Sequence, residues 1–420
     1  MKKYQERVTD KILQNKLQSA GAVLIEGPKW CGKTATATAA AASVLYMQDP
    51  DYTNSYLQTA NIKPSLLLEG DKPRLLDEWQ MAPQLWDAVR FAVDKANEKG
   101  QFILTGSASP NDNVVAHTGT GRIVRLFMRT MSLLESQESN GTITLQNLFN
   151  NSEEEVVGIS TLTIEKLAYA LCRGGWPSAV VGNQKVALKQ VYDYVDAVVN
   201  NDISTVDNIE KNPTRVRLLL RSLARNITTT ANMSVLKQDI ESSDMTLSEK
   251  TISGYINALK RIFVVEDLEA WSPKLRSKSM IRTSNKRHFV DPSIAVAAMR
   301  ATPEKLLQDF ETFGLLFESL CVRDLRIYAE AIDGEVFHYQ DSTNLEADAI
   351  VQLRDGRWGA VEVKMGSSKI DEAAKNLLKL ASKMDTDKMN PPSFLMVLTA
   401  TEFAYRREDG VLVVPLGCLG

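Results

Sequence analysis

One short glycine-rich stretch has residue types and spacing that suit phosphate binding. Residues 27–34 read GPKWCGKT and fit the pattern G-x-x-x-x-G-K-[ST]. Gly27 and Gly32 allow backbone N–H groups to turn inward around phosphate oxygens. Lys33 would reach the β- and γ-phosphates of a nucleotide, and the Thr34 hydroxyl would ligate Mg²⁺. The stretch therefore predicts a site for ATP and Mg²⁺.

The segments on either side of this stretch match the context that such a loop requires. The apolar run at 21–27 predicts a buried strand, and the alanine-rich run at 33–47 predicts a helix. A strand–loop–helix order aims the positive end of the helix dipole at the phosphates.

An acidic pair follows at the end of a second apolar run, PRLLDEWQ, at 73–80. Asp77 would help to hold the magnesium ion, and Glu78 would polarise the attacking water. The alternative is that two acids simply mark the end of a strand. Their position some 40 residues after the loop favours the catalytic interpretation.

Polar residues also end a third predicted strand, QFILTGSA, at 101–108. Thr105 and Ser107 are candidates for sensing the γ-phosphate, although an ordinary strand end has the same composition. A glycine-rich turn then leads to Arg122, which would act in trans on the ATP of a neighbouring subunit in a homo-oligomer. Arg125 and Arg129 compete for this role, and each would also suit a solvated surface.

Four blocks together resemble a known family: GPKWCGKT, LLDEWQMAPQLWDAVR, FILTGSA and GTGRI…MRTMSLLE. They are similar to a large group of prokaryotic AAA-type ATPases that carry a C-terminal domain of unknown function. The resemblance implies an AAA+-like ATPase fold, a winged-helix region and a nuclease-like C-terminal fold. It implies no particular biological role.

A second constellation lies near the end of the chain. Asp348 on a predicted strand is followed, after thirteen residues, by Glu362 and Lys364 two apart on the next predicted strand. This is the pattern of the PD-(D/E)xK nucleases. The two carboxylates would hold Mg²⁺, Lys364 would orient or deprotonate water, and Glu318 from a predicted helix would complete the metal shell. A buried, salt-bridged cluster with a purely structural role is the alternative.

The middle of the chain predicts a DNA reader. Three helical segments within 214–268 are followed by a strand and a predicted wing hairpin at 272–290, the order of a winged helix-turn-helix. The hairpin is basic and contains no acid, which suits contacts to DNA phosphates. Its basic residues are Lys274, Arg276, Lys278, Arg282, Lys286 and Arg287. A solvated face or a protein partner would also explain them.

The whole chain bounds these predictions. It has 420 residues, a formal net charge of −3 and four widely spaced cysteines, so we expect several domains and reduced thiols in the cytoplasm. No apolar run is long enough to cross a membrane. The fold class is an α/β multidomain protein. The predicted domains are a P-loop AAA+-like core at 1–160, a helical lid at 161–210, a winged helix at 211–300 and a nuclease-like domain at 301–420.

Two functions remain open from the sequence. The first is an ATP-driven machine that acts on DNA, with a C-terminal domain that binds or cleaves DNA under nucleotide control. The second is an ATP-dependent regulatory switch whose winged-helix and degenerate nuclease-like domains bind protein or DNA without cleavage.

Overall fold

The computed structural model describes residues 4–107, 119–150, 155–206, 209–241, 248–273, 284–384 and 389–420. The chain divides into two compact units. The first comprises Met1–Thr130, Asp202–Glu210 and Ala258–Phe263, and the second comprises Met131–Asn201, Lys211–Asn257 and Val264–Gly420. The predicted α/β class is confirmed.

The first unit is built on a five-stranded parallel sheet in the order β2-β3-β4-β1-β5. Its strands are β1 Ala22–Glu26, β2 Ser43–Tyr46, β3 Arg74–Asp77, β4 Phe102–Gly106 and β5 Ile123–Phe127. Its helices are α1 Val8–Ser19, α2 Lys33–Ala40, α3 Thr53–Ile62, α4 Gln84–Ala96 and, far along the chain, α9 Ile203–Thr205. All five strands run parallel, so their carboxyl ends meet at one edge, where ligands of open α/β sheets bind.

The prediction of one helix over residues 33–47 is wrong. The helix α2 ends at Ala40, and Ser43–Tyr46 form β2, which pairs with β3. Alanine favours a helix, but Val44 and Leu45 pack against the sheet, and Leu45 is buried. Tertiary burial of these two side chains overrides the local preference.

The second unit contains a seven-stranded mixed sheet in the order β6-β13-β14-β12-β11-β10-β9 and a separate two-stranded ribbon, β7-β8. The strands are β6 Gly158–Ile159, β7 Val265–Leu268, β8 Lys286–Phe289, β9 Gly334–Gln340, β10 Glu346–Leu353, β11 Trp358–Lys364, β12 Phe394–Thr399, β13 Phe403–Arg406 and β14 Leu412–Pro415. The strands β10 and β11 form an antiparallel hairpin, as predicted, and β11 pairs with β12 in parallel.

Helices surround this sheet and fill the middle of the chain. They are α5 Leu145–Asn150, α6 Ile164–Arg173, α7 Pro177–Val180, α8 Gln184–Ala197, α10 Pro213–Arg225, α11 Met233–Glu241, α12 Glu249–Arg261, α13 Pro292–Met299, α14 Pro303–Gln308, α15 Phe310–Glu330 and α16 Ile370–Lys383. The helices α10, α11 and α12 are followed by the predicted strand, β7, which pairs with β8 in an antiparallel ribbon. Residues 274–283 of the predicted wing hairpin lie outside the described residues.

Residues 131–150 and 155–160 fold with the second unit and not with the parallel sheet of the first. The sequence predicts an ATPase core that includes them. Here β6 pairs with β13, and Ile143 bridges to Leu419. The buried side chains of Leu145 and Leu148 on α5 explain this placement, because the polar residues around them conceal an apolar anchor.

A buried ionic network connects four segments of the second unit. Asp291 accepts hydrogen bonds from the Gly175 N–H at 2.9 Å and from Arg323 at 3.0 Å. Arg323 also pairs with Asp324 at 2.7 Å, and Asp324 accepts the Leu133 N–H at 2.9 Å. The glycine turn after α6 is therefore held by a carboxylate inside the unit, which gives it a packing role.

Among the described residues, none of the helices has both the length and the apolar character that a membrane crossing requires. The four cysteines Cys31, Cys172, Cys321 and Cys418 are buried free thiols.

Candidate functional site

The glycine-rich loop of the first unit lies between β1 and α2, at the carboxyl edge of the parallel sheet. Gly27 has φ +154° and Gly32 has φ +104°, backbone angles that residues with a Cβ rarely adopt. A Cβ on Gly27 would lie 2.1 Å from the Met128 carbonyl oxygen. The two glycines are therefore required by backbone geometry, which agrees with a phosphate-binding loop.

The lysine of the loop is folded against its own backbone. Lys33 is buried, and its Nζ donates hydrogen bonds to the carbonyl oxygens of Gly27 at 3.0 Å and Pro28 at 2.8 Å. To reach a phosphate, the ammonium must exchange these two bonds for bonds to phosphate oxygens. Its side chain is thus held at the loop before a nucleotide binds.

Two hydroxyls converge on one carboxylate beside the loop. Asp77, at the end of β3, is buried, and its Oδ1 accepts from Thr34 Oγ1 at 2.8 Å and from Thr105 Oγ1 at 2.7 Å. A hydroxyl oxygen and a carboxylate oxygen in contact are the hard ligands that Mg²⁺ prefers. The residues predicted to hold the metal therefore lie together and fit it.

The neighbouring acid is held by a different set of donors. Glu78 adopts a left-handed conformation with φ +55°, and its N–H donates to Thr105 Oγ1 at 3.1 Å. Its Oε2 accepts from Ser107 Oγ at 3.3 Å and from the Gln80 side-chain amide. Gln80 was missed by the sequence analysis, although its place two residues after Glu78 was the available signal. The predicted base is thus fixed by two neutral donors.

Thr105 and Ser107 do not occupy equivalent positions. Thr105 is completely buried; its hydroxyl accepts a hydrogen bond from the Glu78 N–H and donates one to the Asp77 carboxylate. A γ-phosphate sensor needs a hydroxyl that reaches the ligand, so Thr105 orients Asp77 in this structure. Ser107 remains a candidate for the sensing role.

The candidate arginine finger lies away from the loop within one chain. Arg122 directly precedes β5, whose first residue pairs with Ala22 at the start of β1. The five residues of β1 separate this edge from Gly27 by roughly 17 Å. Arg122 pairs with Asp94 at 2.7 Å. A role in cis is therefore excluded, and a role in trans stays a prediction.

Arg129, at the other end of β5, lies on the edge that carries the loop. The buried Arg7 connects the two: its guanidinium donates to the Cys31 carbonyl at 2.9 Å and to the Arg129 carbonyl at 3.0 Å. No sequence motif marked Arg7, because its role depends on the packing of α1 beside the loop.

Three residues of the C-terminal constellation, Asp348, Glu362 and Lys364, line one polar cavity of about 290 Å³ in the second unit. The β10–β11 register pairs Ala349 with Val361, so that Asp348 and Glu362 occupy the next positions outward on one face. A register shift in the pairing of β9 with β10 adds one residue at this point. Such bulges re-aim side chains beside functional sites.

Lys364 lies on the same face and neutralises both acids. Its Nζ is 2.8 Å from Glu362 Oε2 and 3.7 Å from Asp348 Oδ2. The Asp348 Oδ2 atom also accepts the Val363 N–H at 2.7 Å. The three residues predicted from the nuclease pattern are thus in mutual contact.

A second lysine enters this cluster from an unexpected element. Lys286 on β8 is buried, with its Nζ 3.1 Å from Glu318 Oε1 and 3.7 Å from Asp348 Oδ1. The basic residues around Lys286 predict a surface that contacts DNA. Burial between two carboxylates leaves its ammonium no open face for a phosphate, which corrects that assignment. Its position within a run of basic residues concealed this role.

The charges in the cluster shift one another. Burial, followed by repulsion from Asp348, raises the pKa of Glu318 to about 7 and that of Glu362 to about 8. Burial alone would lower the pKa values of Lys286 and Lys364, but the nearby carboxylates raise both. Three carboxyl groups and two ammonium groups therefore share the site.

The same cluster does not fit a divalent cation as it is arranged. Within the described ranges, no group of three or more His, Cys, Asp and Glu side chains has the arrangement of a metal site. The Lys286 ammonium occupies the position between Glu318 and Asp348 that a cation would need. We therefore derive no cleavage step at Glu318, Asp348 and Glu362.

Of the other basic residues in the predicted wing hairpin, only Arg287 lies within the described residues. Lys274, Arg276, Lys278 and Arg282 lie outside the described residues. Arg287 follows Lys286 on β8, is mostly buried, and lies 3.8 Å from Asp267. Its contact with DNA stays a prediction.

Comparisons with known families divide the chain into three parts. Residues 19–137 match an AAA domain, residues 164–305 match the domain of unknown function DUF8612, and residues 313–419 match the domain of unknown function DUF4143. No curated protein matches the chain.

Two solved structures are similar over part of the chain. The Walker-type ATPase PABY2304 of Pyrococcus abyssi is 13% identical with a TM-score of 0.42, over 70% of this chain and 96% of that chain. The Drosophila origin recognition complex, ORC, bound to DNA is 12% identical with a TM-score of 0.18, over 70% of this chain and 85% of that chain. Neither TM-score establishes a shared fold. Residues 19–137 match an AAA domain and contain the glycine-rich loop and the acidic pair described above.

Proposed function

We propose that this protein is a magnesium-dependent ATPase whose nucleotide state controls how its second unit engages DNA. The observation that carries the proposal is the pair of hydroxyls on Asp77, since Thr34 and Thr105 hold this carboxylate at the mouth of a glycine-rich loop. The conjunction of loop lysine, hydroxyl and buried carboxylate serves phosphoryl transfer.

Each residue of this site has a separate task in hydrolysis. Lys33 exchanges its two carbonyl partners for phosphate oxygens. Thr34 and Asp77 would hold Mg²⁺, which offsets the charge of the β- and γ-phosphates. Glu78, oriented by Ser107 and Gln80, accepts hydrogen bonds through its carboxylate and would polarise the attacking water.

The DNA part of the proposal rests on the order of elements in the second unit. Three helices, α10 to α12, precede the ribbon β7-β8, which is the order of a winged helix-turn-helix. A homo-oligomer would place Arg122 of one subunit near the ATP of another and would explain an arginine on the edge away from its own loop.

For the C-terminal domain, the geometry supports a role without cutting. Lys286 and Lys364 supply two cations within the acidic cluster, so the protein itself offsets much of the negative charge of the three carboxyl groups. Cleavage is the second candidate. Its support is that Asp348, Glu362 and Lys364 share one cavity, as the nuclease pattern requires.

The test measures ATP hydrolysis and DNA integrity in the same reaction. Purified protein meets supercoiled, linear or single-stranded DNA with Mg²⁺ or Mn²⁺, with and without ATP. The variants are Lys33→Ala, Lys364→Ala and, as a control for loss of an exposed lysine, Lys63→Ala. We expect Lys33→Ala alone to abolish hydrolysis and all proteins to leave the DNA intact.

Two results would contradict this proposal. Hydrolysis that survives Lys33→Ala would remove the ATPase assignment. DNA cutting by the wild type that is lost in Lys364→Ala would replace the binding role with a nuclease, and its loss also in Lys33→Ala would place that nuclease under ATP control.

A further inference from the structure

A second cavity of the second unit lies apart from the acidic cluster and has the opposite charge. Its volume is about 860 Å³, and it is lined by residues of α8, α10 and α13 and by Lys305 of α14. This volume lies within the range of about 300–1,000 Å³ that is usual for small-ligand sites.

Cations dominate the lining of this cavity. It contains the side chains of Arg217, Arg221, Arg300 and Lys305 and one carboxylate, Asp196, so its net charge is +3 in a chain whose formal net charge is −3. Asp196 pairs with Arg217 at 2.7 Å. Such a local excess of positive charge attracts anions.

Two of the arginines are left with their charge available. Arg221 and Arg300 are both exposed, and neither forms an ion pair with any residue of the described ranges. Arg217 and Arg221 lie four residues apart on α10, which places them one helical turn apart on the same face. Guanidinium groups so arranged can grip phosphate oxygens with two hydrogen bonds each.

The backbone and an aromatic ring shape the opposite wall. Arg300 is the left-handed C-cap of α13, with φ +55°, and its carbonyl accepts from Lys305 Nζ at 3.4 Å. The Tyr192 hydroxyl donates to the Ala301 carbonyl at 3.1 Å, while 37% of the residue stays exposed. An anchored, accessible aromatic ring beside cations is the combination that stacks bases and neutralises phosphates.

We propose that this cavity binds a phosphate ester that carries a base, either within a single nucleic-acid strand or as a free nucleotide. Val195, Leu218 and Met299 give the cavity an apolar wall beside the charged groups. The inference deepens the proposed function and rests on it, since it supplies a phosphate-binding surface on α10, the first helix of the predicted winged helix.

The test compares two double variants that lose the same charge. Arg221→Gln/Arg300→Gln removes the two arginines of the cavity that have no ion-pair partner among the described residues. Arg354→Gln/Lys166→Gln removes two exposed cations elsewhere in the second unit. Affinity for a fluorescent single-stranded oligonucleotide is measured at several salt concentrations. Affinity for ATP is measured in a Lys33→Ala background, so that the glycine-rich loop does not dominate the signal.

We expect the cavity variant to bind at least about tenfold more weakly than the control variant. If the source is a strand, the salt dependence of oligonucleotide binding should also fall by about 1.4 in slope, two phosphates at about 0.7 each. If only ATP binding falls, the source is a free nucleotide. An Arg221→Lys/Arg300→Lys variant should recover part of the affinity.

Equal affinities of the cavity and control variants for both probes would overturn the proposal. So would equally tight wild-type binding of a glutamate-rich peptide, because the cavity would then take any acidic chain. Both readouts are binding, so an absence of ATP hydrolysis or the presence of DNA cutting would contradict the proposed function without deciding this result.

Discussion

The two acidic sites contain aspartates that are equally buried and held in different ways. Asp77 and Asp348 each have 8% relative exposure. Asp77 accepts from two neutral hydroxyls, whereas Asp348 lies within 3.7 Å of the ammonium groups of Lys286 and Lys364. The difference is the charge of the partners, since the fraction of each residue that is exposed is the same.

Under the proposed function, this difference separates a site that takes up a cation from one that already contains its own. A hydroxyl stabilises a carboxylate but leaves its negative charge for Mg²⁺ to share. An ammonium group offsets that charge. A metal ion would have to displace the ammonium group from the carboxylate, which costs free energy because the buried ion pair is broken. Identical nuclease-type residues can therefore fold into a closed ionic cluster when one additional lysine reaches them.

The largest expected effect is on the ATP site. Asp77→Asn should lower the rate of ATP hydrolysis by at least about 100-fold, because the amide cannot supply the charge that holds Mg²⁺. The measurement is phosphate release over a Mg²⁺ titration, in which the apparent affinity for the metal should also fall.

Asp348→Asn is the matched control for this change, with the same substitution at an equally buried aspartate. It should leave phosphate release at the wild-type rate. A comparable loss in both variants would show that the effect is general damage to the protein, and the contrast between the two sites would then be lost.

The sequence was sufficient to predict the geometry around the glycine-rich loop because the residues concerned are close in the sequence or end a predicted strand. Gly27, Gly32, Lys33 and Thr34 follow one another closely, and Asp77 ends the strand that the apolar pattern predicts. The β10–β11 hairpin was also predicted, since a turn between two apolar runs fixes its register.

Long-range packing was the part that the sequence did not reveal. Lys286 on β8 contacts Glu318 and Asp348, which lie on elements far away along the chain. Its basic neighbours in the sequence indicated a surface role instead. The helix predicted over 33–47 ends early for a similar reason, since Leu45 is buried by a strand that comes later. Arg7 had no motif at all.

The second prediction removes the built-in cation. Lys286→Met should lower the free energy of unfolding by about 2 kcal/mol at neutral pH, because two carboxylates lose a buried partner. The cost is limited because Glu318, with its pKa raised to about 7, can take up a proton. Urea denaturation monitored by tryptophan fluorescence measures the change.

Metal addition sharpens this second test. With Lys286 absent, Mn²⁺ at about ten times its Kd should return about 1.4 kcal/mol to the variant and nothing to the wild type. Arg287→Met, at the next position of β8, is the control and should not respond to the metal. Equal stabilisation of the wild type would mean that Lys286 does not take the place of a cation.

The third prediction uses the pH dependence of the cluster. Glu362 has its pKa raised from 4.5 to about 8 by burial and by Asp348, so the folded protein keeps a proton that the unfolded chain loses. Stability is therefore greatest below the unfolded pKa and falls as the pH rises towards 8. Each such proton contributes a slope of up to about 1.4 kcal/mol per pH unit.

Glu362→Gln imitates the protonated carboxyl group and should flatten this dependence. The variant should equal the wild type near pH 5 and exceed it by up to about 3.5 kcal/mol at pH 8, as measured by urea titration at each pH. Wild-type stability that stays constant or rises between pH 5 and pH 8 would show that Glu362 is ionised throughout.

The smallest expected effect concerns an exposed ion pair beside the ATP loop. Lys29 Nζ lies 2.7 Å from Asp202 Oδ1, and the lysine side chain is 48% exposed. Asp202→Asn should tighten ATP binding about two- to fivefold at low salt, because Lys29 is then free to attract the phosphates, and exposed pairs contribute only about 0.2–1 kcal/mol. The gain should vanish at high salt, where the attraction is screened.

Asp71→Asn removes the same charge just before β3, at the opposite edge of the sheet, and should leave ATP affinity unchanged at every salt concentration. If both variants tighten binding equally, net charge and not the Lys29–Asp202 pair controls ATP affinity. The partners of Asp77 would then be the only feature that distinguishes the ATP loop from the C-terminal acidic cluster.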